Sequence, residues 1–271
     1  MTKIAIFGLG EAGSLIGSDI ATGIDEHGLN FTLSGYDPAG VDTPAGIQRY
    51  ETPQQAVAHA DFVLSFTGSV DAGTALKQAL DAIPPTAVYA DFASASAGLK
   101  QELAATASNA GLRFCDVALM AMVPGNGVST PAMFAGPGAI ALRDLLTHFG
   151  MPVEIVSNQP GDAAKRKLLR SVVIKGLAGL LIESLQGAKQ AGCGDWLWQN
   201  LVDEFTAMDH RMLQRLVQGT DVHAARRFHE MEAAALQLTE LGVEPLMTNS
   251  TVANLQKVKS DGVPEVPAWK G

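Results

Sequence analysis

Cysteine, aromatic residues and positive charge are all scarce in this sequence. Of 271 residues only two are cysteines, Cys115 and Cys193, which lie far apart and without metal-ligand spacing. Both are expected to be buried, reduced thiols, in keeping with a reducing cytoplasm. Lys and Arg number 19 against 28 Asp and Glu, a net charge of −9. The chain as a whole therefore repels nucleic acid and anionic membrane, and any basic site must be local. No apolar run reaches about 18 residues, so no membrane span is expected. The first residues run straight into a strand-like segment without a cationic, then apolar, leader, and no signal peptide is expected. His, Cys and acidic residues form no clustered ligand spacing, so no metal is expected. What is present is hydrophobic residues at 47% and 28 glycines, a composition that suits tightly packed α/β and helical layers and argues against disorder.

The first part of the chain alternates strand-like and helix-like blocks. Lys3–Gly8 is a short, almost wholly apolar run, as in a parallel strand covered on both faces. A helix is predicted over Glu11–Thr22. Further strands are predicted at Phe31–Tyr36, within Asp61–Phe66, at Ala87–Asp91 and at Leu112–Ala118, with helices over Thr74–Ile83 and Ala97–Ala110, the second closed by Gly111. This alternation predicts an α/β fold, a doubly wound parallel Rossmann sheet. At Ser157–Gly161 a turn cluster interrupts the pattern. Beyond it no strand is predicted, and helices are expected over Asp162–Gln190, Asp195–Gln218, Asp221–Leu241 and Pro245–Val258. The expected organisation is thus residues 1–158 as a dinucleotide-binding domain and 159–271 as an all-helical domain, with a loose or partner-wrapped tail from Ser260.

Gly8-Leu9-Gly10-Glu11-Ala12-Gly13 fits the dinucleotide fingerprint GxGxxG and stands between a predicted strand and a predicted helix. The first glycine permits the tight turn, the second lets backbone approach a pyrophosphate, and the third lets helix pack on strand; free N–H groups at the helix start bind the phosphates. Asp37, at the end of the second strand, is placed for the adenosine ribose hydroxyls and would repel a 2′-phosphate. NAD is thereby favoured over NADP, although an Asp before Pro38 also suits an ordinary turn. Phe66 and Thr67 follow the third predicted strand at its carboxyl end, beside the expected cofactor. Ser94 and Ser96 follow the next one and are candidates to contact nicotinamide or substrate, unless they merely cap the following helix.

The segment Asp162–Gln190 is apolar on most sides, which predicts a buried helix. Lys167, Ser171 and Lys175 recur every four residues along it, rising on one side with a drift of about 40° per step. Lysine in such a setting is costly without a partner or a task. Lys165 and Lys167 can reach solvent from the helix start, whereas Lys175 lies deeper in the apolar run.

With these pieces in order, the chain resembles the 3-hydroxyacid dehydrogenase and 6-phosphogluconate dehydrogenase superfamily, and most of all its phosphogluconate-dehydrogenase-like subgroup with a short helical C-terminal domain. The resemblance rests on Gly8–Gly13, Asp91–Ser96, Asp116–Met120 and the helix carrying Lys167, Ser171, Lys175, Gly176 and Glu183. It implies that Lys167 acts as general acid and base on a substrate hydroxyl, with Ser171 where the family has asparagine. Lys175 falls where the phosphogluconate enzymes bind substrate phosphate, and either lysine can be the base. The family grips the substrate carboxylate with a serine and two glycines after the sixth strand; Met120, Ala121 and Met122 stand there instead, implying a bulkier or less polar substrate. Arg226 is a candidate to complete a partner's anion site, since these enzymes interleave as homodimers, and its alternative is an ion pair with Glu230.

The leading expectation is an oxidoreductase passing hydride between NAD or NADP and the carbinol carbon of a hydroxyacid-like small molecule. A 3-hydroxyacid substrate would give a 3-keto acid able to lose CO2. An imine or ketone reductase on the same scaffold, and a dinucleotide-binding sensor without turnover, are the alternatives.

Overall fold

The computed structural model describes residues 1–269. Strand β1 (Thr2–Phe7) leads into α1 (Glu11–His27), which Gly28 ends in the left-handed conformation. Next come β2 (Phe31–Tyr36), β3 (Ile47–Arg49), α2 (Pro53–Val57), β4 (Phe62–Ser65), α3 (Ala72–Ala79), β5 (Val88–Asp91), α4 (Ala97–Asn109) and β6 (Arg113–Leu119). The first part closes with β7 (Ala132–Ala135), α5 (Ala139–Leu146) and β8 (Val153–Ser157).

These strands form one sheet in the order β3-β2-β1-β4-β5-β6-β7-β8. Every neighbouring pair is parallel except β6 and β7. The sheet is Rossmann-like, as expected, extended by an antiparallel turn-back that the sequence pattern did not announce. Strand alternation divides the core into two: Ile4 and Ile6 pack on one face with Ile16 and Ile20 of α1, while Ala5 and Phe7 pack on the other with Leu76 and Leu103. The carboxyl ends of β1, β4 and β5 therefore share one edge, and the candidate residues after them are neighbours.

The remaining helices are α6 (Asp162–Gln190), α7 (Gly194–Thr206), α8 (His210–Glu240) and α9 (Leu246–Asp261). No strand follows β8 among the described residues. By internal contacts the chain divides into Met1–Arg170 and the part from Ser171 onward, a division that falls within α6. The helix expected over Asp195–Gln218 is in fact two, because Asp209 caps a new start by accepting Met212 N–H at 2.9 Å. The expected break before Asp221 is only a kink at His223.

Two expectations are corrected. Helix α6 is not buried in the protomer: Leu169, Val172, Val173 and Ile182 are 59–71% exposed, and Lys175 is exposed with them. An all-round apolar helix requires cover, but the pattern does not say which chain supplies it. Cys115 is buried, whereas Cys193, just before α7, is exposed.

Candidate active site

The turn between β1 and α1 has the geometry a diphosphate requires. Gly8 adopts φ +83°, and a Cβ there would lie 2.9 Å from the Phe66 carbonyl oxygen; at Gly13 it would lie 1.9 Å from the Gly8 carbonyl oxygen. At Gly10 a Cβ would meet nothing within 4 Å, so backbone is open to a ligand at that one point. Gly10 is also the N-cap of α1 and offers no side-chain acceptor, which leaves the amides of Glu11 and Ala12 available to anionic oxygens. The residues fit a dinucleotide.

Asp37 accepts the N–H of Leu9 at 2.7 Å through Oδ2 and that of Ala39 at 2.8 Å through Oδ1. The carboxylate thus makes the local turn that the residue before Pro38 suggested, and it also ties the end of β2 to the glycine turn. Arg49, which carried no motif, organises the segment after Asp37: its guanidinium donates to the carbonyls of Asp37, Ala39 and Val41 and to Thr43 Oγ1. Phe66 and Thr67 lie at the end of β4. Phe66 packs on Phe92 with ring centroids 4.2 Å apart, and Thr67 Oγ1 is 3.1 Å from Ser65 Oγ.

After β5 the two candidate serines take different roles. Ser96 caps α4, accepting Leu99 N–H at 3.2 Å. Ser94 instead accepts a hydrogen bond from Lys167 Nζ at 2.7 Å, across 73 residues of sequence. This contact brings the start of α6 to the edge that carries the glycine turn. Arg170, one turn on and not singled out from the sequence, points its guanidinium at the Met120 carbonyl at 3.5 Å. Met120 is half-buried, and Ala121 and Met122 are exposed, so apolar side chains do stand at the end of β6. Ser171 is half-buried. Arg226 is exposed and pairs with Glu230 one turn along α8.

Beneath this edge lies a charge cluster that sequence reasoning missed. Lys100 Nζ of α4 is 2.7 Å from both the Asp91 carbonyl and Asp91 Oδ2, and 3.3 Å from Asp116 Oδ1, and all three side chains have no exposure. Burial pushes the Asp91 carboxyl above its ordinary range, with Lys100 opposing. In the helical part, an open apolar cavity of about 510 Å³ is lined by Leu177, Leu181, Trp196, Phe205 and Leu238 among others, and contains none of the site residues read from the sequence.

The eight-stranded Rossmann-like sheet followed by long helices is a fold that this chain shares with several solved structures. The chain has the fold of the 3-hydroxyacid dehydrogenase-like proteins, and residues 188–258 match the domain of unknown function DUF1932, a C-terminal domain of such proteins. A conserved hypothetical protein from Sinorhizobium meliloti is 28% identical, with 97% of this chain and 92% of that one covered and a TM-score of 0.62. Protein MTH1747, described as structurally similar to 3-hydroxyacid dehydrogenases, is 21% identical with a TM-score of 0.59, covering 95% and 96%. A reductive aminase from Aspergillus terreus, in complex with NADPH and ethyl-5-oxohexanoate, is 17% identical with a TM-score of 0.75, covering 98% and 96%. A protein of Methanothermus fervidus is 28% identical over 117 residues, so the match spans 43% of this chain and 46% of that relative.

Proposed function

We propose that the protein is an NAD(P)-dependent dehydrogenase or reductase acting on a hydroxyacid-like small molecule, with Lys167 as its general acid and base. The observation that carries this reading is the 2.7 Å contact from Lys167 Nζ to Ser94 Oγ at the carboxyl edge of the sheet. A nicotinamide cofactor, when bound, supplies hydride exchange with carbon. The protein's part is to place the substrate and to handle its proton. Lys167, as the neutral amine, accepts the hydroxyl proton while the carbonyl forms, and as the ammonium it then hydrogen-bonds the carbonyl oxygen. Ser94 orients that nitrogen. Ser171, one turn beyond Lys167, is the second polar group on this stripe, and Lys175, a turn further, is assigned to an anionic substituent such as a carboxylate or phosphate. NAD is the favoured cofactor, because Asp37 presents a carboxylate at the end of β2. The exposed apolar side chains of α6 support a homodimer through the helical part, and the site of action is the cytoplasm.

Imine or ketone reduction is the second reading, favoured by the exposed Met122 and Ala121 where a carboxylate grip would stand. The test is NADH and NADPH formation over aldonic, phospho-aldonic and aromatic hydroxyacids, alongside cofactor oxidation with imines and ketones. Lys167→Met is expected to lower kcat by a factor of about 10² to 10⁴ while NADH affinity holds. Full turnover in Lys167→Met would end the mechanism, and turnover confined to imines would select the second reading.

A further inference from the structure

We infer that the buried Lys100–Asp91–Asp116 cluster is a positioning element that holds Ser94 and Lys167 in register. This rests on the function proposed above, for which that pair is the acid-base centre. Two arms leave the cluster. In the first, Lys100 lies nine residues past Asp91 and folds back onto both its carbonyl and its carboxylate. The segment from Asp91 to Lys100, which carries Ser94, is therefore closed at both ends, and Ser96 fixes its middle by capping α4. In the second arm, Asp116 Oδ2 accepts the N–H groups of Gly161 at 3.1 Å and Ala164 at 3.0 Å. These amides open the first turn of α6, and Lys167 lies one turn further on. The Lys167–Ser94 contact is where the two arms meet.

The cluster is charged in a place where charge is costly. One ammonium faces two carboxylates, with no exposure at any of the three. Asp91 Oδ1 and Asp116 Oδ1 have no hydrogen-bond partner. An arrangement whose only purpose was stability would be served as well or better by apolar side chains. What the charges add is direction: Lys100 ties α4 to Asp91 of β5 and faces Asp116 of β6, and Asp116 Oδ2 in turn holds the first turn of α6, so the four elements are linked through named atoms.

The test needs no known substrate. Reductive methylation with formaldehyde and cyanoborohydride, read residue by residue by mass spectrometry, reports how freely each lysine amine reacts. In the wild type, Lys167 is expected to react slowly, and Ser94→Ala sets the rate for a Lys167 that has lost its contact with Ser94. Lys100→Met is expected to raise Lys167 methylation several-fold, to the Ser94→Ala rate, with the exposed Lys77 and Lys189 unchanged. Asp116→Asn, which keeps the Lys100–Asp91 pair but sets an amide N–H₂ against either the ammonium or the helix amides, is expected to do the same and decides the matter should Lys100→Met fail to fold. The double variant Lys100→Met with Asp91→Asn removes one of the two buried carboxylates left without a cation, and Asp116 keeps its two amide donors. It is expected to recover part of the melting temperature lost in Lys100→Met while Lys167 stays reactive. Wild-type methylation of Lys167 in folded Lys100→Met or Asp116→Asn would overturn the proposal, as would its return to the wild-type rate in the double variant. A wild-type protein inert toward every substrate tried, with methylation responding as described, would count against the dehydrogenase reading alone.

Discussion

Asp37 is held by two contacts at once. Its carboxylate is held by two backbone amides, from Leu9 and Ala39, so its charge stays at the mouth of the glycine turn and cannot swing away. A 2′-phosphate brought to this edge would meet that charge. Asp37→Asn removes the repulsion, at the cost of setting its amide N–H₂ against one of the two backbone amides, and is expected to raise the preference for NADP over NAD by about tenfold in kcat/KM, or roughly 1.4 kcal/mol. Dissociation constants for NADH and NADPH, from nicotinamide fluorescence, provide the same comparison without turnover; an unchanged ratio would remove Asp37 from cofactor selection. The glycine turn itself was legible because only glycine tolerates φ +83° at Gly8 and the 1.9 Å approach at Gly13, constraints that any sequence must meet in the same way. Arg49 was not legible. Three of its four partners are carbonyls of a loop up to twelve residues away, and a carbonyl leaves no trace in the sequence.

At the level of elements, the strands with apolar runs were read almost to the residue, β2 among them. β7 was missed because four apolar residues between Pro131 and Gly136 give no measurable period. The buried cluster did leave a signal. Lys100, Leu103 and Ala107 are spaced as one helix face, and all three are buried, so a lysine stands on the core side of α4. Two acids, Asp91 and Asp116, end or interrupt apolar strands and needed a cation. Glu183 is another such group. It is buried on α6 and accepts Met247 N–H at 2.7 Å, Thr248 N–H at 2.9 Å and the Thr248 hydroxyl at 2.6 Å, serving as the cap of α9. Burial alone would raise its carboxyl, but these hydrogen bonds together outweigh it and hold the group below its ordinary value. A carboxyl lowered on folding contributes stability above its unfolded value of about 4.3, and that contribution is lost as pH falls through the folded value. Glu183→Gln is therefore expected to cost about 1–3 kcal/mol at pH 7, and the gap to wild type should narrow as pH falls below about 4. Urea unfolding across pH measures it; a gap that stays constant with pH would show that the charge is not what caps α9.

For the whole molecule, the decisive feature is the apolar surface that the protomer leaves open. Leu169, Val172, Val173 and Ile182 of α6 are 66%, 71%, 65% and 59% exposed, and Trp196 and Trp198 of α7 are 67% and 55% exposed. Scattered single hydrophobic residues need no explanation, but a helix apolar around its circumference does. The sequence pattern predicted a buried helix, and in the single chain its apolar side chains stand exposed. With a net charge of −9, two copies repel at long range, so association has to come from apolar contact. A second copy offers the same exposed helix, and self-complementary pairing through a two-fold axis is the commonest route to closure. Replacing Val172 and Val173 together by Ser removes two branched apolar side chains while leaving Lys167 and Lys175 in place. If they are buried between copies, four such side chains are lost per dimer; at about 1 kcal/mol each the loss is about 4 kcal/mol, or roughly 10³-fold in the dissociation constant. Sedimentation velocity over a dilution series is expected to give a wild-type dimer and a double variant that dissociates at correspondingly higher concentration, with tryptophan emission moving to longer wavelength as the copies part. A wild type that sediments as a monomer throughout, or a double variant with unaltered association, would mean that α6 is covered by something other than a second copy.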